Sequence, residues 1–460
     1  MSATFSSLRL SNYRLWFAAA LVANIGTWMQ RVGQDWLVLT HLTENSGTAV
    51  GTVTALQFLP FLLLSPYAGL LADRLPRRKL LMATQGAMGV LAFVLAALTL
   101  AEVVELWHVY ALAFALGIAS ALDGPVRQTF VAEMVPPEML PNAVGLNSAS
   151  FNAARLIGPG ISGLLVAAVG TGWVFLINGI SFGATIVALA CMNTNTLRTL
   201  PVAPRGRGQI RDAVRYVRGR SDLVVILAVM AVMSMFGLNF QLTSAMMARI
   251  EFGQGAGGFG LLGSVLAIGS LAGALLAARR ERPRVRLVLG AGFAFAVATA
   301  VGALMPTFWS YVALTIPVGL ASLTMMTAAN ATIQTSTDPV LRGRVMALYM
   351  MVFQGATPIG APIIGWIGEH WGPRWAILLG SVMVFAACAV ATAWVVRNWN
   401  LSLRVHRGRR PVLEVVYLDH GGQRPDVGGQ KPDVGGQKPD VGGQKPDEGG
   451  QKPMASRSGP

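Results

Sequence analysis

Charge is scarce in this chain. Asp, Glu, Lys and Arg supply 12% of its 460 residues, about half the share of a soluble globular protein, and acids are the rarer sign, 21 against 36 bases. With 53% of residues hydrophobic, a water-soluble fold is excluded and lipid is the implied solvent. Cysteine is nearly absent: Cys191 and Cys388 both lie in apolar runs, so neither a disulfide framework nor a thiolate metal site has support. No nucleotide-binding loop and no His-acid cluster with metal-ligand spacing is found, so the convergent groups of an enzyme are missing and neither cofactor nor metal is expected. His41, His108 and His370 fall near the outer ends of apolar runs, where an interfacial structural role suits them.

Apolar sequence is abundant instead, in pieces of about 20 residues, the length that crosses a bilayer as a helix. Six pieces occupy 15–39, 48–72, 80–100, 106–122, 143–169 and 173–192; six more occupy 222–248, 256–278, 287–305, 308–330, 345–368 and 375–396. The first is too long for a secretory signal and carries Gln30, Arg31 and Asp35, so it is read as span one. The basic residues alternate with the spans. Alternate loops hold 26 of them, including Arg74, Arg77, Arg78 and Lys79 after span two and seven arginines from Arg198 to Arg220 after span six; the opposite loops hold Arg249 and Arg374. The positive-inside bias therefore puts both termini and the central loop in the cytoplasm. The net charge of +15 then needs no nucleic acid to explain it.

The halves repeat one another. An ungapped shift of 202 residues pairs Gly117 with Gly319, Ser120 with Ser322, Phe151 with Phe353, Gly158 with Gly360, Gly163 with Gly365, Gly170 with Gly372 and Trp173 with Trp375. Gly and Trp matches outweigh the Ala and Leu matches that apolar composition produces by chance. Parallel six-span repeats imply an all-α integral membrane fold of twelve helices in two pseudo-symmetric bundles, with a site near mid-membrane between them. The expected division is 1–192 for the first bundle, 193–221 for a basic cytoplasmic loop, 222–396 for the second bundle and 397–460 for a cytoplasmic tail. In that tail PVLEVVYLD (411–419) reads as a short strand, and the GGQKPDV repeats from 421 read as disorder.

Two motifs narrow the class. GLLADRLPRRK (69–79) resembles the loop signature of the major facilitator superfamily, with Pro76 where glycine is usual, and ARLIGPGISG (154–163) resembles the Gly-Pro motif of its proton-coupled antiporters. With NIGTWMQRVGQDWLVL in span one, the resemblance is nearest to the enterobactin-exporter and drug-exporter branch. It implies an exporter of small drug-like or siderophore-like amphipathic molecules, driven by the proton gradient in the bacterial inner membrane. A small-molecule substrate and the lipid bilayer are its expected partners, and a monomer its expected state. An importer or facilitator is the alternative, and a non-transporting membrane sensor a further one.

Gating residues follow from the motifs. Gly69, Asp73, Arg74 and Arg77 form the span-two latch, with Arg344 a partner for Asp73 that the resemblance suggests and Asp123 a second anchor for Arg74 or Arg77. LAGALLAARRER (271–282) has Ala277 and Ala278 where an acid is expected, so the latch is one-sided. Gly158, Pro159 and Gly163 of span five, matched by Gly360, Pro362 and Gly365 of span eleven, remove bulk and a helix hydrogen bond from surfaces that pack closely.

Charges inside spans are the coupling candidates. A charge at mid-membrane costs several kcal/mol unless it faces protein or a wet cavity. Arg155 sits at the middle of span five. Arg31 and Asp35 stand one turn apart on one face of span one, Asp35 as proton carrier with Arg31 modulating it, or the two as a permanent structural pair. The resemblance has spans one, four, seven and ten line the substrate cavity, giving Asn24, Gln30, Ser120, Met235, Asn239, Met326 and Asn330 as candidates, with Met230, Met233 and Met325 around them.

Overall fold

The computed structural model describes the backbone of residues 3–198, 209–278, 285–338, 341–398, 401–406 and 412–417; side chains are described over the same residues except 3–4, 65–74, 209–210, 275, 277–278, 398, 401–406 and 412–417. The first half comprises α1 (Ser11–Leu37), α2 (Gly47–Arg74), α3 (Arg77–Leu100), α4 (Leu106–Met134), α5 (Leu140–Val169) and α6 (Thr171–Ala190). A short α7 (Gln209–Arg218) precedes the second half: α8 (Ser221–Val232), α9 (Phe240–Met246), α10 (Ala256–Ala278), α11 (Val285–Ala303), α12 (Phe308–Ser336), α13 (Arg342–Gly355), α14 (Thr357–His370) and α15 (Pro373–Asn398). A separate unit beginning at Asn400 holds an antiparallel hairpin of β1 (Leu401–His406) and β2 (Val412–Tyr417), with Leu401 opposite Tyr417. The strand expected within 411–419 is thus present, and its partner β1 was not foreseen. The GGQKPDV repeats lie outside the described residues.

Eleven helical segments among the described residues are long and apolar enough to cross a membrane. The twelfth crossing is α1, 27 residues long, whose apolarity is diluted by Arg14, Arg31 and Asp35 and by Asn24, Gln30 and Gln34. Two crossings are interrupted. Span seven, Ser221–Glu251, contains a π-helical turn at Met233–Gly237 and a break at Leu238 and Asn239. Span eleven breaks at Ala356, two residues before Pro358, because a proline ring excludes the carbonyl four residues back. By contrast α5 runs unbroken through Pro159. Span four outruns its expected end at residue 122 by three turns, since Asp123 and Arg127 satisfy each other and need not leave the helix. The central loop expected over 193–221 contains α7, where Ile210, Ala213, Val214 and Val217 recur at helical spacing. Ala213 and Val217 are buried, and α7 packs on α13.

The duplication is realised in packing. α2 lies on α4 as α10 lies on α12, and α3 on α6 as α11 on α15. Paired glycines hold equivalent contacts: Gly117 faces the Gln57 carbonyl and Pro60 of α2, and Gly319 faces the Leu266 carbonyl of α10. Gly170 and Gly372 both carry positive φ, 89° and 99°, at equivalent turns.

The halves join along two seams, α5 with α10 and α2 with α14. Close approach there needs missing side chains. A Cβ on Gly163 would stand 2.7 Å from the Ala256 carbonyl oxygen, and one on Gly365 would overlap the Gly47 carbonyl. At this end, outer by the charge bias, one apolar core draws on both halves, including Trp36, Val50, Phe175, Leu242, Met246, Phe259 and Ile364. Trp36 stacks on Phe259 across the halves, centroids 6.0 Å apart. Glu369 at the end of α14 accepts from the Ser46 hydroxyl at 2.8 Å and the Thr48 amide at 2.9 Å, tying the start of α2 across the seam. At the opposite end a core of Tyr13, Trp16, Leu81, Phe130, Leu146 and Leu189 belongs to the first half alone. Exposed Trp107, Trp173, Trp309 and Trp375 all stand at the starts of helices, the position of an interfacial aromatic belt.

Candidate functional site

The intramembrane charges gather where α1 meets α5. On α5 the residues Phe151, Arg155, Gly158 and Ser162 recur every three or four positions, so they share one face. That face is laid against α1. The Ser162 hydroxyl donates to the Met29 carbonyl at 2.9 Å, Phe151 meets the Trp28 ring edge-on with centroids 5.8 Å apart, and a Cβ on Gly158 would stand 2.6 Å from the Trp28 Cβ. The absent side chain of Gly158 therefore seats Trp28 beside Arg155. The Arg155 guanidinium carbon lies 5.7 Å from the Trp28 ring centroid. Arg31, one turn after Trp28, lies 5.1 Å from the same ring and 5.4 Å from that of Phe58 on α2. Two guanidiniums thus share one indole.

Neither arginine has an ion-pair or hydrogen-bond partner among the described residues, and Arg31 Nε is buried without one. The i,i+4 spacing of Arg31 and Asp35 allowed a proton carrier modulated by the arginine or a permanent pair; among the described residues the two form no contact ion pair. Asp35 is 7% exposed.

A small polar cavity adjoins this cluster inside the first half. Gln30, Arg31, Gln34, Gln57, Ser120 and Asn178 line it with Met88 and Phe182, and it is roomy and polar enough for water. Asn178 donates to Gln30 at 2.5 Å. Ser120 contacts the Met88 sulfur at 3.6 Å. Asn24, expected here, accepts instead from Arg127 at 3.2 Å.

Asp123 does not anchor Arg77. It accepts from Thr84 and Gln85, both at 2.8 Å, and pairs with Arg127 at 3.0 Å. Arg127 also lies over the Trp16 ring. Arg77 pairs with Glu133 at 2.5 Å, an intrahalf tie made possible because the longer α4 carries Glu133 level with the start of α3. Arg344 pairs with Asp212 of α7 at 3.5 Å. Gly69, Asp73 and Arg74 belong to α2, but their side chains lie outside the described residues, as do those of Ala277 and Ala278.

The seam candidates are brought together. Pro159 and Gly163 of α5 face Gly260 and Gly263 of α10, while Gly360 faces the Met235 carbonyl of span seven and Pro362 faces Gly51 of α2. The second-half cavity candidates are not. Asn239 donates to the Met235 carbonyl at 2.8 Å and leaves its own side-chain Oδ1 buried without a partner; Asn330 accepts from Gln334; Met230, Met233 and Met325 are fully buried. The pocket of that half, between Phe236, Phe240, Phe295, Tyr311 and Ser381, includes none of Met235, Asn239, Met326 or Asn330. Sequence reasoning missed Trp28, Phe58 and Phe151. The signal for Trp28 was present, three residues before Arg31 on one helical face; the other two become neighbours only through packing.

Twelve crossings in duplicated halves, joined along α2–α14 and α5–α10, make a fold of the major facilitator type. A family model described as transmembrane secretion effector matches residues 2–420, and the chain belongs to that family. It is a multi-pass membrane transporter and not an enzyme. It is 23% identical to the staphyloferrin A transporter of Staphylococcus aureus, over 87% of this chain and 99% of that protein. Against macrolide efflux protein A of Streptococcus pyogenes identity is 20%, covering 86% and 99%; against the multidrug efflux pump Tap of Mycolicibacterium fortuitum it is 26%, covering 80% and 93%. Among solved structures, an inward-facing bacterial homolog of the human lysosomal transporter Spinster superposes with a TM-score of 0.65 at 15% identity, covering 85% and 97%. A POT family transporter in complex with 5-aminolevulinic acid superposes with a TM-score of 0.67 at 11% identity, covering 83% and 95%.

Proposed function

We propose that the protein exports small amphipathic molecules across the bacterial cytoplasmic membrane by alternating access, in exchange for protons and with no other cofactor, its termini facing the cytoplasm. Relatives whose names specify a siderophore, a macrolide and multiple drugs support the efflux reading. The observation that carries the coupling reading is Asp35: a carboxyl group buried in α1, one turn from Arg31, with no hydrogen-bond or contact ion-pair partner among the described residues. An ionised carboxylate in such a place is costly, and binding a proton removes the cost. Proton binding and release there would bias the rocking of the halves.

The outer core shared by both halves, with the first half keeping its own core at the other end, supports a resting state closed outside. Glycine-lined seams let the halves pivot without unpacking side chains. Uptake into inverted vesicles, with and without an imposed pH gradient, tests the reading, with neutral N-phenyl-1-naphthylamine as the fluorescent probe. Gradient-driven accumulation that Asp35→Asn abolishes is the expected result. Accumulation indifferent to the gradient, or coupling unchanged in Asp35→Asn, would sink the proton-exchange reading.

A further inference from the structure

The cluster of Arg31, Arg155, Trp28 and Phe58 has a charge imbalance that proton coupling does not use. Two guanidiniums lie within 5.7 Å of one indole ring, and the only near acid among the described residues, Asp35, makes contact with neither. The other buried acid of this half, Asp123, is committed to Arg127, Thr84 and Gln85. The surplus is therefore one positive charge, held in a region where an unpaired charge is expensive.

Aromatic faces offset part of that cost. Trp28 attracts both cations through its ring, and Phe58 attracts Arg31 from the α2 side. These ring contacts are made through the guanidinium carbon region and, among the described residues, leave the N–H groups of both arginines without an acceptor; Arg31 Nε is buried and has none. An arginine fork with free edges matches the two oxygens of a carboxylate, and an aromatic wall beside it matches an apolar or aromatic body.

We propose that Arg31 and Arg155, held on Trp28, form a receptor for an anionic group, so that the transported molecules are amphipathic anions, carboxylates above all, in preference to amphipathic cations. Gly158 is the positioning residue that seats Trp28 beside them. The acceptor would enter from the polar cavity that Arg31 already lines with Gln30, Gln34 and Gln57. This rests on the reading of the protein as a carrier of amphipathic molecules and assigns the sign of their charge.

The test uses binding, which needs no gradient and no turnover. Full-length protein in nanodiscs is titrated calorimetrically with three probes of one shape: naphthylacetate, neutral naphthylacetamide and cationic naphthylethylamine. The carboxylate should bind about tenfold or more tightly than the amide, with the amine weakest. Arg31→Gln and Arg155→Gln should each remove most of the preference, and Arg155→Lys should keep part of it, since the charge survives without the fork. Equal binding of all three, tighter binding of the amine, no detectable binding of the carboxylate, or a preference that persists in the double glutamine variant would each overturn the proposal. Should the variants misfold, the wild-type ranking alone decides. Failed gradient-driven transport with an intact carboxylate preference would overturn the exporter reading and spare this one; the converse result would do the reverse.

Discussion

Asp123 and Asp35 show how two acids in one half come to serve different ends. Asp123 is 5% exposed and fully engaged, with two neutral donors and Arg127. Removing one partner of such a buried pair leaves the other charge uncompensated, which costs roughly 3–5 kcal/mol. Asp123→Ala should therefore lower the thermal unfolding midpoint of the detergent-solubilised protein sharply, and Asp35→Asn should leave it nearly unchanged while altering transport. Equal destabilisation by both would contradict the separation of roles. The sequence offered Asp35 as a proton carrier and Asp123 as an anchor for the span-two latch. Thr84 and Gln85, which donate to Asp123, stand on the preceding helix nearly forty positions earlier, so that part of its commitment was invisible until α3 and α4 packed.

At the scale of elements, the seams are what the paired glycines are for. Gly260 on α10 would place a Cβ 2.5 Å from the Pro159 carbonyl oxygen and closer still to no side chain that could move aside. Gly260→Val should push α5 and α10 apart at a cost of roughly 1–3 kcal/mol. In a background lacking Cys191 and Cys388, a cysteine replacing buried Phe259 should then react faster with a membrane-impermeant maleimide added outside; unchanged labelling would mean that the seam does not hold the outer closure. The glycine pattern was legible because a 202-residue shift superimposes it, and its contacts follow the duplication. The helix interruptions were not legible. Span seven opens into a π-helical turn at Met233–Gly237 without a proline, and α5 stays continuous through Pro159. Such choices depend on which neighbour supplies the missing hydrogen bond or fills the kink, and that is tertiary information. Likewise α7 escaped the reading of a basic loop because ten residues of amphipathic pattern have no stability until α13 offers a surface.

For the whole molecule, Met1–Trp399 forms one compact unit, and transport is expected to belong to it. Deleting residues 421–460 should leave transport rates and membrane insertion unchanged, and loss of either on deletion would assign the repeats a part in function. The sequence by itself determined that the chain lives in lipid, crosses it twelve times and consists of two copies of one bundle, because span length, charge alternation and glycine repeats are properties of consecutive residues or of a fixed offset. It also determined that Arg31, Asp35 and Arg155 had to be accounted for, since no charge is tolerated at that depth without a reason. Only the tertiary structure decided which of them lacked partners, that one indole lies under both arginines, and that the second-half candidates are bound up with their own helices. Those outcomes are set by which helix faces meet, and contacts between residues more than a hundred positions apart leave no trace in local pattern.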